Sequence, residues 1–227
     1  MPAVLTPPAS PQTDQADSPP NGLFEEPEVP VFEPEPVRMT LEEFLALPDG
    51  DGVERELIRG ELKERPMTMR SRIHFLTESK LVLRIGSHLE ASGIDAEVGS
   101  GEAGVILNDL HSGVGIDVVV LPNEMLAKQN DRTRMFSGVP LMTVEILSTS
   151  DQVGNVNEKV RLYMDAGVKL AWVVDPTQRT ITAYRPGEPP AFFSGEDTVT
   201  AAPVMPDFAE PLPRLFPSAS PVAAQGG

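Results

Sequence analysis

Gly115-Ile116-Asp117-Val118-Val119-Val120-Leu121 and Leu141-Met142-Thr143-Val144-Glu145-Ile146-Leu147 are the two most apolar, β-branched runs in the chain. Runs of this length, apolar on both faces, predict central strands of a sheet covered on both sides. Each carries one acid near its middle. An ionised carboxylate is costly in such surroundings unless a cation meets it. Two such acids, with Lys159 on a following helical segment, predict a metal-binding site with an ammonium beside it.

The flanking segments supply the rest of a fold. Thr40-Leu41-Glu42-Glu43 has the spacing of a capping box and predicts a short helix ending near Pro48. Residues 54–65 alternate about Gly60, which predicts strand, tight bend, strand. Residues 69–91 have helical periodicity, placing Phe75, Val82, Ile85 and Leu89 on one face, with Gly93 as the stop signal. Short strands are expected at 96–100, 104–107 and 115–121; the polar stretch 122–139 gives no assignment. Then come a strand at 141–147, a helix at 155–166 closed by Gly167, and strands at 170–174 and 180–184 about an Asp175-Pro176 turn. This succession predicts an α/β fold, a mixed α+β sheet flanked by helices.

The domain proper is expected over 39–216. Residues 1–38, rich in Pro and Glu, read as a disordered acidic tail, and 217–227 as a flexible C-terminal tail. The chain has 227 residues, no cysteine and a formal charge of −16. Thiolate metal sites and disulfides are thereby excluded. The charge divides as −6 in 1–38, −4 in 188–227 and −6 in 39–187, so the body is only mildly acidic. A broad basic face for gripping phosphate backbones is not visible. No apolar stretch approaches the roughly 20 residues of a membrane span. No signal peptide is evident, and a cytoplasmic protein is expected.

Asp117 and Glu145 are the strongest site candidates. For one acid alone, a strand-end position facing water would be the plainer account; two on neighbouring apolar strands are harder to explain that way. Hard cations such as Mg²⁺ and Mn²⁺ prefer carboxylate oxygens. Most helix lysines are simply solvated, so Lys159 gains meaning only beside the acids, where it could orient water or stabilise phosphorane charge. Tyr163 lies one turn beyond it on the same face. Glu56 and His74 are secondary candidates; a lone histidine is more often structural than a ligand. Trp172 reads as core.

Taken in order, these segments resemble the Uma family of bacterial, restriction-endonuclease-like proteins, within the PD-(D/E)XK superfamily. The resemblance is carried by Glu56-Leu57-Ile58-Arg59-Gly60-Glu61-Leu62, His74, Asp117-Val118-Val119-Val120, Val144-Glu145-Ile146-Leu147-Ser148 and Lys159-Val160-Arg161-Leu162-Tyr163. It extends through Gly167-Val168 and Ala171-Trp172-Val173-Val174-Asp175-Pro176, covering about 39–216. It implies a restriction-endonuclease-like core with a Mg²⁺- or Mn²⁺-dependent site on adjacent strands. Asp117 would be the acid of the motif's first half and Glu145 that of the second. The sequence departs from the motif twice: Ile116 replaces the proline before the first acid, and Leu147 replaces the lysine two residues after Glu145. The family supplies that lysine from the following helix, here as Lys159.

The implied function is metal-dependent hydrolysis of DNA phosphodiester bonds. Asp117, Glu145 and Lys159 would be catalytic, and Asp117 and Glu145 would hold the metal. Nucleic acid is the expected partner, DNA before RNA, with no membrane partner. A homodimer would provide the two sites needed to cut both strands of a duplex. The competing expectation is a catalytically inactive nuclease-like module for binding or assembly. It is suggested by the acidic body, by Leu147 and by the lack of an evident DNA-specificity domain.

Overall fold

A computed structural model gives the fold; it describes residues 36–48, 50–130, 134–148 and 153–218. Most of the two expected tails therefore lies outside the described residues. Pairing with the rest of the domain is already present at Val37, whose carbonyl accepts from Leu62 N–H at 2.8 Å. Helix α1 (Leu41–Leu45) opens with the expected capping box. The Thr40 hydroxyl accepts from Glu43 N–H at 3.2 Å, and the Glu43 carboxylate accepts from Thr40 N–H at 2.7 Å.

Strands β1 (Val53–Ile58) and β2 (Glu61–Pro66) form an antiparallel hairpin with Leu57 opposite Leu62. Its two-residue turn, Arg59-Gly60, has φ of 52° and 78°. Both values lie in the left-handed region that a twisted hairpin requires, and glycine takes it without strain. Helix α2 (Arg72–Ser92) is capped by Ser71 and stops at Gly93, with φ of 64°. Its buried face is His74, Thr77, Leu81, Ile85 and Leu89. Phe75, expected on that face, is 61% exposed. Two polar residues begin the buried stripe, so apolar periodicity alone set its phase one residue late.

The strands expected at 96–100 and 104–107 are one strand, β3 (Ala96–Leu107), paired antiparallel along β4 (Ser112–Pro122). Its register shifts between Ser100 and Ala103, where Gly101 and Glu102 bulge out with φ of 84° and 58°. The unassigned stretch supplies α3 (Asn123–Leu126) and β5 (Phe136–Ser137). There follow β6 (Met142–Ile146), α4 (Val153–Ala166), β7 (Leu170–Asp175), β8 (Thr180–Tyr184) and β9 (Ala191–Phe193). A separate hairpin, β10 (Thr198–Ala201) and β11 (Met205–Pro211), leads to a 3-10 turn at Leu212–Leu215.

The main sheet runs β2-β1-β4-β6-β7-β8-β9, with β3 on the opposite edge of β4 and β5 beyond it. β6 and β7 are parallel and joined by α4. The fold is thus the expected α/β mixed sheet flanked by helices. One face packs Leu81, Ile85 and Leu89 of α2 against Val118, Val120, Val144 and Trp172, with Phe208 and Leu215 closing over them. The other packs Leu162 and Tyr163 of α4 near Ile116, Val119 and Leu121. Among the described residues no helix is long and apolar enough to cross a membrane.

β1 and β6 share one edge of β4 without meeting. β1 pairs at Gly113, whereas β6 pairs from Val118 onward. The edge between them, Val114–Asp117, is paired with neither strand. This opening in the sheet positions the site.

Candidate active site

A strand edge without a neighbour leaves backbone donors and acceptors to be satisfied by other groups. At Gly115 they are satisfied by side chains. Its N–H donates to Glu56 Oε1 on β1 at 3.2 Å, and its carbonyl accepts from Lys159 Nζ on α4 at 2.7 Å. The same ammonium donates to Glu56 Oε1 at 3.0 Å and to Glu145 Oε2 on β6 at 2.9 Å. All three protons of Lys159 are thereby used.

Strand alternation explains how Glu145 arrives there. Met142, Val144 and Ile146 belong to the α2 face, so Thr143 and Glu145 point the other way, toward α4. On α4, Lys159 and Tyr163 stand one turn apart on the inner side. Tyr163, fully buried, donates its hydroxyl to Glu145 Oε1 at 2.5 Å. Both oxygens of Glu145 are therefore held. Asp117 enters from β4, where Oδ2 accepts from Ile146 N–H at 2.7 Å. Its Oδ1 takes no hydrogen bond from the described residues and has the Arg70 guanidinium 3.7 Å away.

Asp117, Glu145, Lys159 and Glu56 line one cavity of about 260 Å³, with Arg70 and Glu102 also in its wall. The sequence-derived trio converges, and Glu56 joins it. Leu147 lines the same cavity, so the ammonium from α4 reaches the space that a residue at 147 would face. His74 is 1% exposed and stands behind Asp117, with Nε2 3.4 Å from Oδ2 and Nδ1 3.8 Å from Glu78. Neither ring nitrogen has a hydrogen-bond partner among the described residues.

Burial sets the electrostatics and the neighbours then divide it. Burial raises Glu145 to about 7, helped by the charges of Asp117 and Glu56 and opposed by Lys159. Asp117 feels the same burial, but the adjoining His74, the Ile146 N–H and Lys159 outweigh it and leave the carboxyl below its ordinary value. Burial would depress Lys159; Glu145 and Glu56 more than offset that, so the ammonium stays charged. Burial and the nearby carboxylates push Tyr163 well up, which keeps the phenol neutral and able to donate.

Arg70 and Glu102 carried no signal in the sequence, since both stand in polar stretches where any charged residue is unremarkable. The left-handed backbone at Glu102 is visible only in the structure. Tyr163 was placed beside Lys159 by helical spacing, but its bond to Glu145 was not foreseeable.

Comparisons with known proteins bear on the family and the fold. The model of a family described as "Putative restriction endonuclease", Uma2, matches residues 41–214. No curated protein matches. Among solved structures the chain is similar to a crystal structure of a putative nuclease belonging to DUF820 from Anabaena variabilis. The TM-score is 0.67 at 23% identity, over 78% of this chain and 97% of that one. At that identity the likeness is one of fold.

Proposed function

We propose, from the premise that the chain belongs to the Uma2 family, that it hydrolyses phosphodiester bonds of DNA with the help of a divalent cation, Mg²⁺ or Mn²⁺. The observation that carries this reading is the convergence of Asp117, Glu145, Lys159 and Glu56 on one cavity at the opening of the sheet. The donors are carboxylate oxygens, the kind a hard divalent cation prefers, and Asp117 Oδ1 takes no other hydrogen bond. Among the described residues no group of three or more His, Cys, Asp or Glu is arranged to hold a metal. Asp117 and Glu145 would be the two protein ligands, with water and substrate oxygens completing the shell in the manner usual for Mg²⁺. Such an ion lowers the pKa of a bound water and withdraws charge from the phosphate.

The chain's own groups have separable tasks in this reaction. Lys159 stays cationic at neutral pH and faces the space between Glu145 and Glu56. With its three protons on Gly115, Glu56 and Glu145, it would act through its charge, offsetting the negative charge that grows on the phosphate as the P–O bond to water forms and the bond to the leaving sugar oxygen breaks. Tyr163 fixes the orientation of Glu145. The test is relaxation of supercoiled plasmid in Mg²⁺ or Mn²⁺. We expect Asp117→Ala and Glu145→Ala to reduce nicking to background, a loss of at least about a hundredfold. Equal nicking by wild type and both variants would refute the assignment.

One observation favours a second reading. The Lys159 ammonium already lies between Glu56 and Glu145, where it could neutralise the carboxylates in place of a metal. The domain would then bind without cutting. Calorimetry with Mn²⁺ separates the two: heat abolished by Glu145→Ala belongs to the enzyme, and no heat at millimolar Mn²⁺ belongs to the inactive module.

A further inference from the structure

The cavity mouth carries a second arrangement, which the carboxylates and lysine do not explain. Arg65, at the end of β2, and Arg70, just before α2, both reach the carboxylate of Glu102. Arg65 donates its Nε to Glu54 Oε2 at 2.5 Å and turns Nη2 to within 3.5 Å of Glu102 Oε1, and Arg70 Nη2 is in direct contact with the same Glu102 oxygen. The same Nη2 also lies 3.7 Å from Asp117 Oδ1, so one nitrogen of Arg70 stands between the two carboxylates. Arg65, Arg70, Glu102 and Asp117 line the cavity. Two guanidinium groups on one anion make a fork suited to a phosphate as well as to a carboxylate.

Glu102 sits there at a conformational cost. It is a non-glycine residue with φ of 58° in the β3 bulge, next to Gly101 at 84°. A backbone held in the left-handed region away from glycine or asparagine costs of order 1 kcal/mol and clusters at functional sites. The bulge is anchored to α2, because Gly101 N–H donates to Glu78 Oε1 at 2.8 Å. The Glu102 side chain remains 30% exposed, so its carboxylate can swing toward solvent. The other cations of the wall also face acids: Lys63 lies against Glu61 and 3.9 Å from Glu158, and Lys159 holds Glu56 and Glu145. A phosphodiester entering this cavity must therefore take a cation from a resident carboxylate.

We propose that Arg65 and Arg70 are the phosphate-positioning residues of the site, and that Glu102 is a built-in placeholder that an incoming backbone phosphate displaces from them. The proposal rests on the nuclease reading and adds to it the group that admits substrate. Its consequence is a site held shut toward weakly bound anions, which opens when a phosphate offers the fork more than Glu102 does.

The experiment measures binding of two probes, a fluorescein-labelled DNA duplex by anisotropy and inorganic phosphate by calorimetry. Glu102→Gln should bind the duplex about tenfold tighter than wild type, the size of one charge-assisted hydrogen bond released to the ligand. Glu102→Gly, which suits the positive φ, should give the same gain without a lower melting temperature. Arg70→Gln should bind about tenfold more weakly. The gain from Glu102→Gln should vanish when Arg65 and Arg70 are both glutamine. A gain that persists without the arginines would mean that Glu102 merely repels anions, and would overturn the proposal. So would unchanged affinity in both Glu102 variants. If wild type nicks plasmid while the Glu102 variants gain nothing, the placeholder falls and the nuclease reading stands. If phosphate binding rises in Glu102→Gln but no variant binds or cuts DNA, the fork stands and the nuclease reading falls.

Discussion

Glu145 is buried at 9% exposure among two other acids, a lysine and a phenol, and its carboxyl is raised to about 7. Its ordinary value is 4.5. Between these limits the folded chain keeps a proton that the unfolded chain has released. Stability must therefore fall as pH rises through the window and level off above it. The loss is at most about 3 kcal/mol. Asp117, whose carboxyl is lowered, contributes stability that disappears only below its ordinary 3.8, outside that window. Urea unfolding from pH 4.5 to 8 should show the fall in wild type and a flat profile in Glu145→Gln. Mg²⁺ should flatten the wild-type profile too, because a bound cation favours the ionised carboxylate. A second measurement concerns Lys159. Replacing it by Met leaves Glu145 and Glu56 facing each other without their shared cation, and should cost about 3–5 kcal/mol in the same assay at pH 8. The two acids were legible in the sequence because each interrupts an apolar run. Arg70 and Glu102 were not, because they interrupt nothing.

Among the elements, α2 most clearly separates pattern from packing. Ile85 lies in the cluster under the sheet, whereas Phe75 looks out to solvent. Ile85→Ala should destabilise by about 2–5 kcal/mol through the cavity it leaves. Phe75→Ala should stay within about 0.5 kcal/mol of wild type in urea unfolding. Equal costs would mean that the helix is rotated from the orientation described here. Strands β4, β6, β7 and β8 and helix α4 were readable because apolar runs and helical spacing coincide with glycine and proline punctuation. The bulge in β3 was not, since nothing in Gly101-Glu102 says that the strand resumes on the far side of a kink. β9, β10 and β11 were also missed. Val199, Ala201, Met205 and Phe208 are buried from short segments too brief and too interrupted to establish a period. On β4 the packing changes sides between Ile116 and Val118, opposite that bulge. Asp117 stands at the change, which is how a carboxylate leaves an otherwise apolar strand.

For the chain as a unit, net charge is the dominant fact. With −16 overall, and with each cation of the cavity wall facing an acid, nucleic acid cannot be held by a general basic surface. Two arginines at the mouth predict a shallow salt dependence. Log affinity for a duplex against log salt should have a slope near about −2. A slope of about −6 or steeper would require a phosphate-binding face elsewhere, and would move the substrate path away from this cavity. The opening between β1 and β6 also bears on how the protein behaves in company. An interior edge with free valences would welcome a foreign strand, as any unpaired β-edge does. Here Glu56 and Lys159 cap the backbone of Gly115, accepting from its N–H and donating to its carbonyl, so the slot is charged. The proposed chemistry stands where one more rung of the ladder would otherwise have closed the sheet, and a substitution that let the ladder zip shut should yield a more regular protein without the proposed activity.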